Sequence, residues 1–209
     1  KVNLLIWVLI FLTSFATLAF VVDGALNVQR GKMLPGHVVT GVRASLDGGD
    51  LGASIAICEQ NPGPLSNILM AGFTNISEGF EVVQEAVVKA TDLESEKIMQ
   101  RITYLNLRGQ MAPMLGLLGT VTGMVSAFGS LATASGPTKD KLLAMAISTA
   151  LWTTVAGLLV SVPALLAFTI YKNLATKVLL ESEATVLDLI KILRNAEVED
   201  EGEEEEAGE

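Results

Sequence analysis

The chain is poor in the residues from which most sites are built: among 209 residues there is one cysteine and one histidine, and five per cent are aromatic. A single cysteine excludes an intrachain disulfide and any cysteine-based metal site. It lies in the apolar run Ala53-Ser54-Ile55-Ala56-Ile57-Cys58, which reads as a small core residue on a helix. His37 follows Pro35-Gly36 at a helix start and reads as a surface or capping side chain. The scarcity of aromatics excludes the alternating aromatic strands of a membrane barrel. Gly116-x-x-Gly119 lacks the Lys-Ser/Thr of a phosphate-binding loop. With no nucleophile beside a base and no ligand set, the chain reads as a non-enzyme without cofactor or metal, and no nucleic-acid partner is expected.

What is abundant is apolar surface. Half of the residues are hydrophobic and the mean hydropathy is positive. Crossing a bilayer takes about 20 apolar residues, since a helix rises ~1.5 Å per residue through ~30 Å of hydrocarbon. Three uncharged windows qualify: Val2 to Val22, Gly109 to Thr138 and Leu142 to Tyr171. The first follows Lys1 and resembles a signal peptide, but its run is long and Val21-Val22-Asp23 is no small-residue cleavage site, so it reads as a retained span. A fourth uncharged stretch, Gln60 to Ser77, opens on Asn61-Pro62-Gly63-Pro64 and reads as a turn followed by a soluble, packed helix.

Basic residues set the orientation. Of the 14, only Lys1, Lys139 and Lys141 lie on one side of the three windows and the other eleven on the opposite side. The expected organisation is therefore a first span over 1–22 with its N-terminus outside, a cytoplasmic helical region over 23–108 and a second span over 109–134. A short external loop over 135–140 and a third span over 141–171 follow, then a cytoplasmic helix over 172–195. The net charge of −9 resides in the last residues, Glu197 to Glu209 holding nine acids and no base, so 196–209 reads as a solvated, disordered tail. Within the inner region, helices are expected after Pro35-Gly36, over Leu51–Glu59, and from about Glu78 without a strong breaker into the second span. The fold class is all-α, three transmembrane helices with long cytoplasmic extensions forming a tall bundle.

Two spans carry unusual small and hydroxyl residues. Gly116, Gly119, Thr120, Gly123, Ala127 and Ser130 form one face of the second, and Ala146, Ala150, Thr153, Gly157, Ser161 and Ala164 one face of the third. Such faces let helices approach closely, which assigns helix packing to Gly116, Gly119, Gly123 and Gly157. Hydroxyls in lipid need partners or water, so Thr149, Thr153 and Thr154 with Thr120 read as candidates to line an ion path. Pro113 and Pro163 are candidate kinks. No Asp, Glu, Lys, Arg or His falls inside the windows; proton passage then requires water or a carboxylate from another subunit.

The run Ala112-Pro113-Met114-Leu115-Gly116-Leu117-Leu118-Gly119-Thr120-Val121-x-Gly123-Met124 resembles the second-span signature of the MotA/TolQ/ExbB channel family. Thr149-Ala150-Leu151-x-Thr153-Thr154-x-x-Gly157-Leu158-x-x-x-x-Pro163-Ala164 resembles its third-span signature. Three spans rather than four place the resemblance in the ExbB/TolQ branch. It implies a homopentamer around a dimer of single-span ExbD/TolR-like subunits, each bringing a membrane aspartate, with a TonB- or TolA-like protein as a further partner. It also implies a multi-pass protein of the bacterial inner membrane, surrounded by lipid, N-terminus periplasmic and C-terminus cytoplasmic. Thr120 and Thr154 match the threonines that line the family's ion path; Thr149 stands where the family often has Glu. The expected function is a channel or stator subunit of a motor that couples proton flow to work on a periplasmic or outer-membrane system. A Na⁺-driven version, or a non-conducting membrane scaffold, is the alternative.

Overall fold

A computed structural model describes residues 2–133 and 139–207, and every regular element in them is helical. Helix α1 spans Val2–Asn27, α2 Arg30–Met33, α3 Gly36–Asp47, α4 Leu51–Gln60 and α5 Pro64–Thr74. A 3₁₀ turn, Ile76–Glu78, leads into α6, Phe80–Thr133, and α7 covers Lys139–Ala207. These helices gather into two units, one of residues 1–26 and 101–171, the other of residues 27–100 and 172–209. Both α6 and α7 contribute a stretch to each.

In the first unit the apolar side chains face outward. Leu4, Phe11 and Phe15 of α1 are 72%, 69% and 76% exposed. Leu117 and Phe128 of α6 and Trp152 and Leu159 of α7 are exposed likewise. Between the helices lie small and polar residues instead: Ala112, Thr120, Ala127, Ala150, Thr153, Ser161 and Ala164 are buried. In water each large exposed side chain would forgo about 1.5–3 kcal/mol of burial; in lipid it forgoes nothing. Among the described residues three helices are long and apolar enough to cross a membrane, lying within Leu4–Asn27, Phe80–Gly129 and Leu143–Ile192. The protein is an all-helical membrane protein.

The second unit has the opposite polarity. Val38, Val42, Leu46, Cys58, Leu65, Ile68, Leu69, Phe73, Val83, Val87, Val186, Leu189 and Ile190 form one apolar core. Local chemistry explains its short helices. Gly49 takes φ +72° in the α3–α4 turn, where the left-handed region favours glycine, and the Asp50 carboxylate accepts from Ala53 N at 2.8 Å to cap α4. Asn61 closes α4 by donating its side-chain amide to Ile57 O at 2.9 Å, and Pro64 opens α5. The uncharged stretch after Gln60 is thus a core helix, its Leu65, Ile68, Leu69 and Phe73 buried. His37 is exposed, its Nε2 3.1 Å from Asn61 Oδ1, and Cys58 is buried.

Several boundaries differ from the sequence reading. The first span's helix continues past Val22 to Asn27, since Asp23 ends the uncharged run without interrupting the backbone hydrogen-bond ladder and Gly24 alone does not stop an established helix. α7 begins at Lys139, so Lys139 and Asp140 belong to it, while 134–138, the core of the expected loop, lies outside the described residues. The acidic stretch expected to be disordered continues α7 as far as Ala207; glutamate is a good helix former, and no proline interrupts the run.

Candidate functional site: a hydroxyl cluster between two spans

In the first unit, α6 and α7 approach until their backbones touch, and glycine makes this possible. A Cβ on Gly116 would stand 2.9 Å from Thr153 O and from Thr154 Cα, and one on Gly157 would stand 2.6 Å from Ala112 O. Gly123 presses on Ala150 in the same way and Gly119 on the Thr153 side chain. All four glycines assigned to packing therefore lie at this seam.

The close approach brings three hydroxyls onto one carbonyl. Gly116 O lies 3.0 Å from Thr120 Oγ1, 3.1 Å from Thr153 Oγ1 and 3.1 Å from Thr154 Oγ1, each within reach to donate to it. Thr120 Oγ1 and Thr154 Oγ1 are 2.6 Å apart. Each hydroxyl has one proton, so only one of that pair donates to the other, and the remaining proton goes to Gly116 O. Two arrangements satisfy this: Thr154 to Thr120 to the carbonyl, or Thr120 to Thr154 to the carbonyl. In either, the hydroxyl at the head of the chain keeps both lone pairs available.

The remaining hydroxyls divide. Thr153 is 4% exposed and shares its proton between Gly116 O and Ala150 O, the latter at 2.6 Å; it fastens α7 to α6. Thr149 is exposed, bonded to its own Met145 O at 2.9 Å, and stands apart from the cluster.

One partner was not evident from sequence. A proline at 113 removes the N–H that would reach the carbonyl of Gly109, four residues earlier. Ser161 Oγ of α7 donates to Gly109 O at 2.7 Å and is itself buried. Pro113 lies within α6 and Pro163 within α7, and each helix continues through its proline. At α1, Tyr171 donates to Val21 O at 2.8 Å with its ring against Gly24, and the Arg108 guanidinium lies 3.6 Å from the centre of the Phe20 ring. Among the described residues, no group of three or more His, Cys, Asp or Glu stands close enough to hold a metal ion.

An all-helical membrane protein with glycine-sealed spans and an interhelical hydroxyl cluster, but no ionisable side chain in that seam, defines a narrow class. The model of the MotA/TolQ/ExbB proton channel family matches residues 60–184. The chain belongs to that family. It is 33% identical over 109 residues to the biopolymer transport protein ExbB of Xanthomonas campestris, covering 52% of this chain and 43% of that one. It is 32% identical to the Tol-Pal system protein TolQ of Pseudomonas aeruginosa over 52% of each chain. A putative ExbB homolog from Methanothermobacter thermautotrophicus is 28% identical over 76% of this chain and 54% of its own length. The chain spans about half the length of these curated relatives. The matches place it in the ExbB/TolQ branch.

Proposed function

We propose that this chain is the multi-copy channel subunit of an ion-driven motor, coupling proton flow across the bacterial inner membrane to work on a periplasmic or outer-membrane system. The observation that carries this reading is the Thr120–Thr154 pair on the Gly116 carbonyl, between spans that hold no ionisable group. In either proton arrangement the pair keeps free lone pairs at its head, to which a protonated acid or a hydrated proton can donate, and it passes a proton on only where a water or a carboxylate takes the one it gives up. It needs an acid to load it, supplied by the membrane aspartate of a single-span ExbD/TolR-like dimer within a homopentamer of this chain. The driving force is ~2.3 kcal/mol per charge per 100 mV. Thr149 in place of glutamate leaves the third span without an acid of its own beside the path, so loading falls to the partner. A TonB- or TolA-like protein would carry the work onward. The excess of Lys and Arg on the long connection supports a cytoplasmic C-terminus and periplasmic N-terminus.

Na⁺ is the second reading for the ion, because Thr120 Oγ1, Thr154 Oγ1 and Gly116 O already form a set of hard oxygen donors. Thr120→Val and Thr154→Val test the function. Each removes a hydroxyl at nearly constant volume, and each is expected to leave the native mass of the complex unchanged while abolishing ion-driven transport. Full transport in both variants would refute the ion path and leave a scaffold. Transport by the wild type that follows a Na⁺ gradient and ignores a pH gradient selects the second ion.

A further inference from the structure

The second unit exposes two large apolar side chains far more than any other among its described residues: Leu93 of α6, 64% exposed, and Leu180 of α7, 61% exposed. Their surroundings are of opposite charge. Leu180 lies in a shallow groove along α7 lined also by Lys172, Thr176, Lys177, Glu181 and Ala184. The one carboxylate in that lining, Glu181, is held by Arg30 at 3.1 Å, so the groove is basic. Leu93 stands beside Asp92 and one turn from Glu96, whereas the lysines near it are engaged: Lys89 with Glu85 at 2.8 Å and Lys97 with Glu94 at 2.7 Å. Its strip of α6 is acidic.

The heights match as well. The space a Gly72 side chain would fill is bounded by both Val87 and Ile190, which sets those two residues at one level. From there, at ~1.5 Å per residue, Leu93 lies about 9 Å towards the Gln100 end of α6 and Leu180 about 15 Å towards the Lys172 end of α7. Both ends are where the helices leave this unit. The two leucines are therefore within about one helical turn in height. In a ring whose axis runs along these helices, every copy stands at the same height, so a residue on one face meets its level counterpart on the neighbour.

We propose that Leu93 of one copy seats against Leu180 in the groove of a second copy, with Glu96 opposite Lys177, joining copies head to tail into a closed ring. This rests on the multi-copy reading above and adds the surface that makes it. The leucines supply the desolvated centre, and the charges fix register and direction, since exposed pairs contribute little energy. Ala184, small and one turn beyond Leu180, leaves room for the Lys89 stem.

Cysteine pairing in native membranes tests it. The resident Cys58 is buried, and burial raises its thiol pKa to about 11, so it does not interfere. The full chain carrying both Leu93→Cys and Leu180→Cys should, on mild oxidation, give a ladder of covalent multimers, while either single variant gives none. Lys177→Glu should reduce the ladder at least fivefold, and adding Glu96→Lys should restore it. Dimers from a single variant would mean a two-fold contact and overturn the proposal, as would crosslinking to another protein. No ladder with an unchanged multimeric native mass overturns this surface alone. A native mass of one copy overturns the multi-copy reading with it.

Discussion

At residue scale the most exacting demand is the carbonyl of Gly109. Pro113 deprives it of its helical donor and Ser161 supplies one from the facing helix. Ser161→Ala should then cost about 1–3 kcal/mol, the usual penalty for a buried acceptor left unpaired. Adding Pro113→Ala should recover most of it, because the restored N–H satisfies the same oxygen. Denaturation of the detergent-solubilised protein in a double-mutant cycle measures the coupling; additive losses would show that Ser161 acts otherwise. The sequence disclosed the hydroxyls and the proline as separate features, since a serine's partner fifty residues away depends on how two helices are set against each other. Thr153 shows the same limit. Its position beside Thr154 suggests a shared role, but helical rotation by ~100° per residue turns one hydroxyl into the seam and leaves the other on its margin.

At the scale of the element, the seam between α6 and α7 separates glycines that must be glycine from those that need not be. Gly157→Ala places a Cβ 2.6 Å from Ala112 O and 3.3 Å from Gly116 Cα, both backbone atoms that cannot turn aside. The expected loss is about 1–3 kcal/mol, as for other overpacked interiors. Gly129→Ala meets nothing within 4 Å and should be neutral or stabilise by up to about 1 kcal/mol through helix propensity. Thermal melts of the two variants check the contrast. The seam was legible as a stripe of small residues at helical spacing, as were the helices of the inner region from their glycine and proline stops. The ends of the long helices were not. Hydropathy records where charge begins, whereas α1, α6 and α7 continue through charged residues because the backbone ladder is indifferent to side-chain polarity.

For the whole molecule, two units of inverse polarity share one chain, and Cys58 reports on the integrity of the water-facing one. In the fold its thiol stays protonated until about pH 11 because burial disfavours the thiolate, whereas an unfolded thiol ionises near ~8.5. Its folded pKa is raised, so the stability it contributes is fully present below the unfolded value and is lost as pH rises towards 11. Maleimide at pH 8 should label Cys58 slowly in native membranes and rapidly in denaturant. Rapid native labelling would reveal frequent opening of this core.

The bond between Ser161 and Gly109 has a mechanical consequence. A sliding step of α7 along α6 would take Ser161 from a carbonyl whose own helical donor Pro113 has removed, and the glycine contacts would jam at the same moment. The two spans are keyed, like adjoining staves of a barrel, and move as one piece. On the motor reading proposed above, whatever turns when ions pass would turn at the margins of this chain, against its neighbours or its partner, rather than within it.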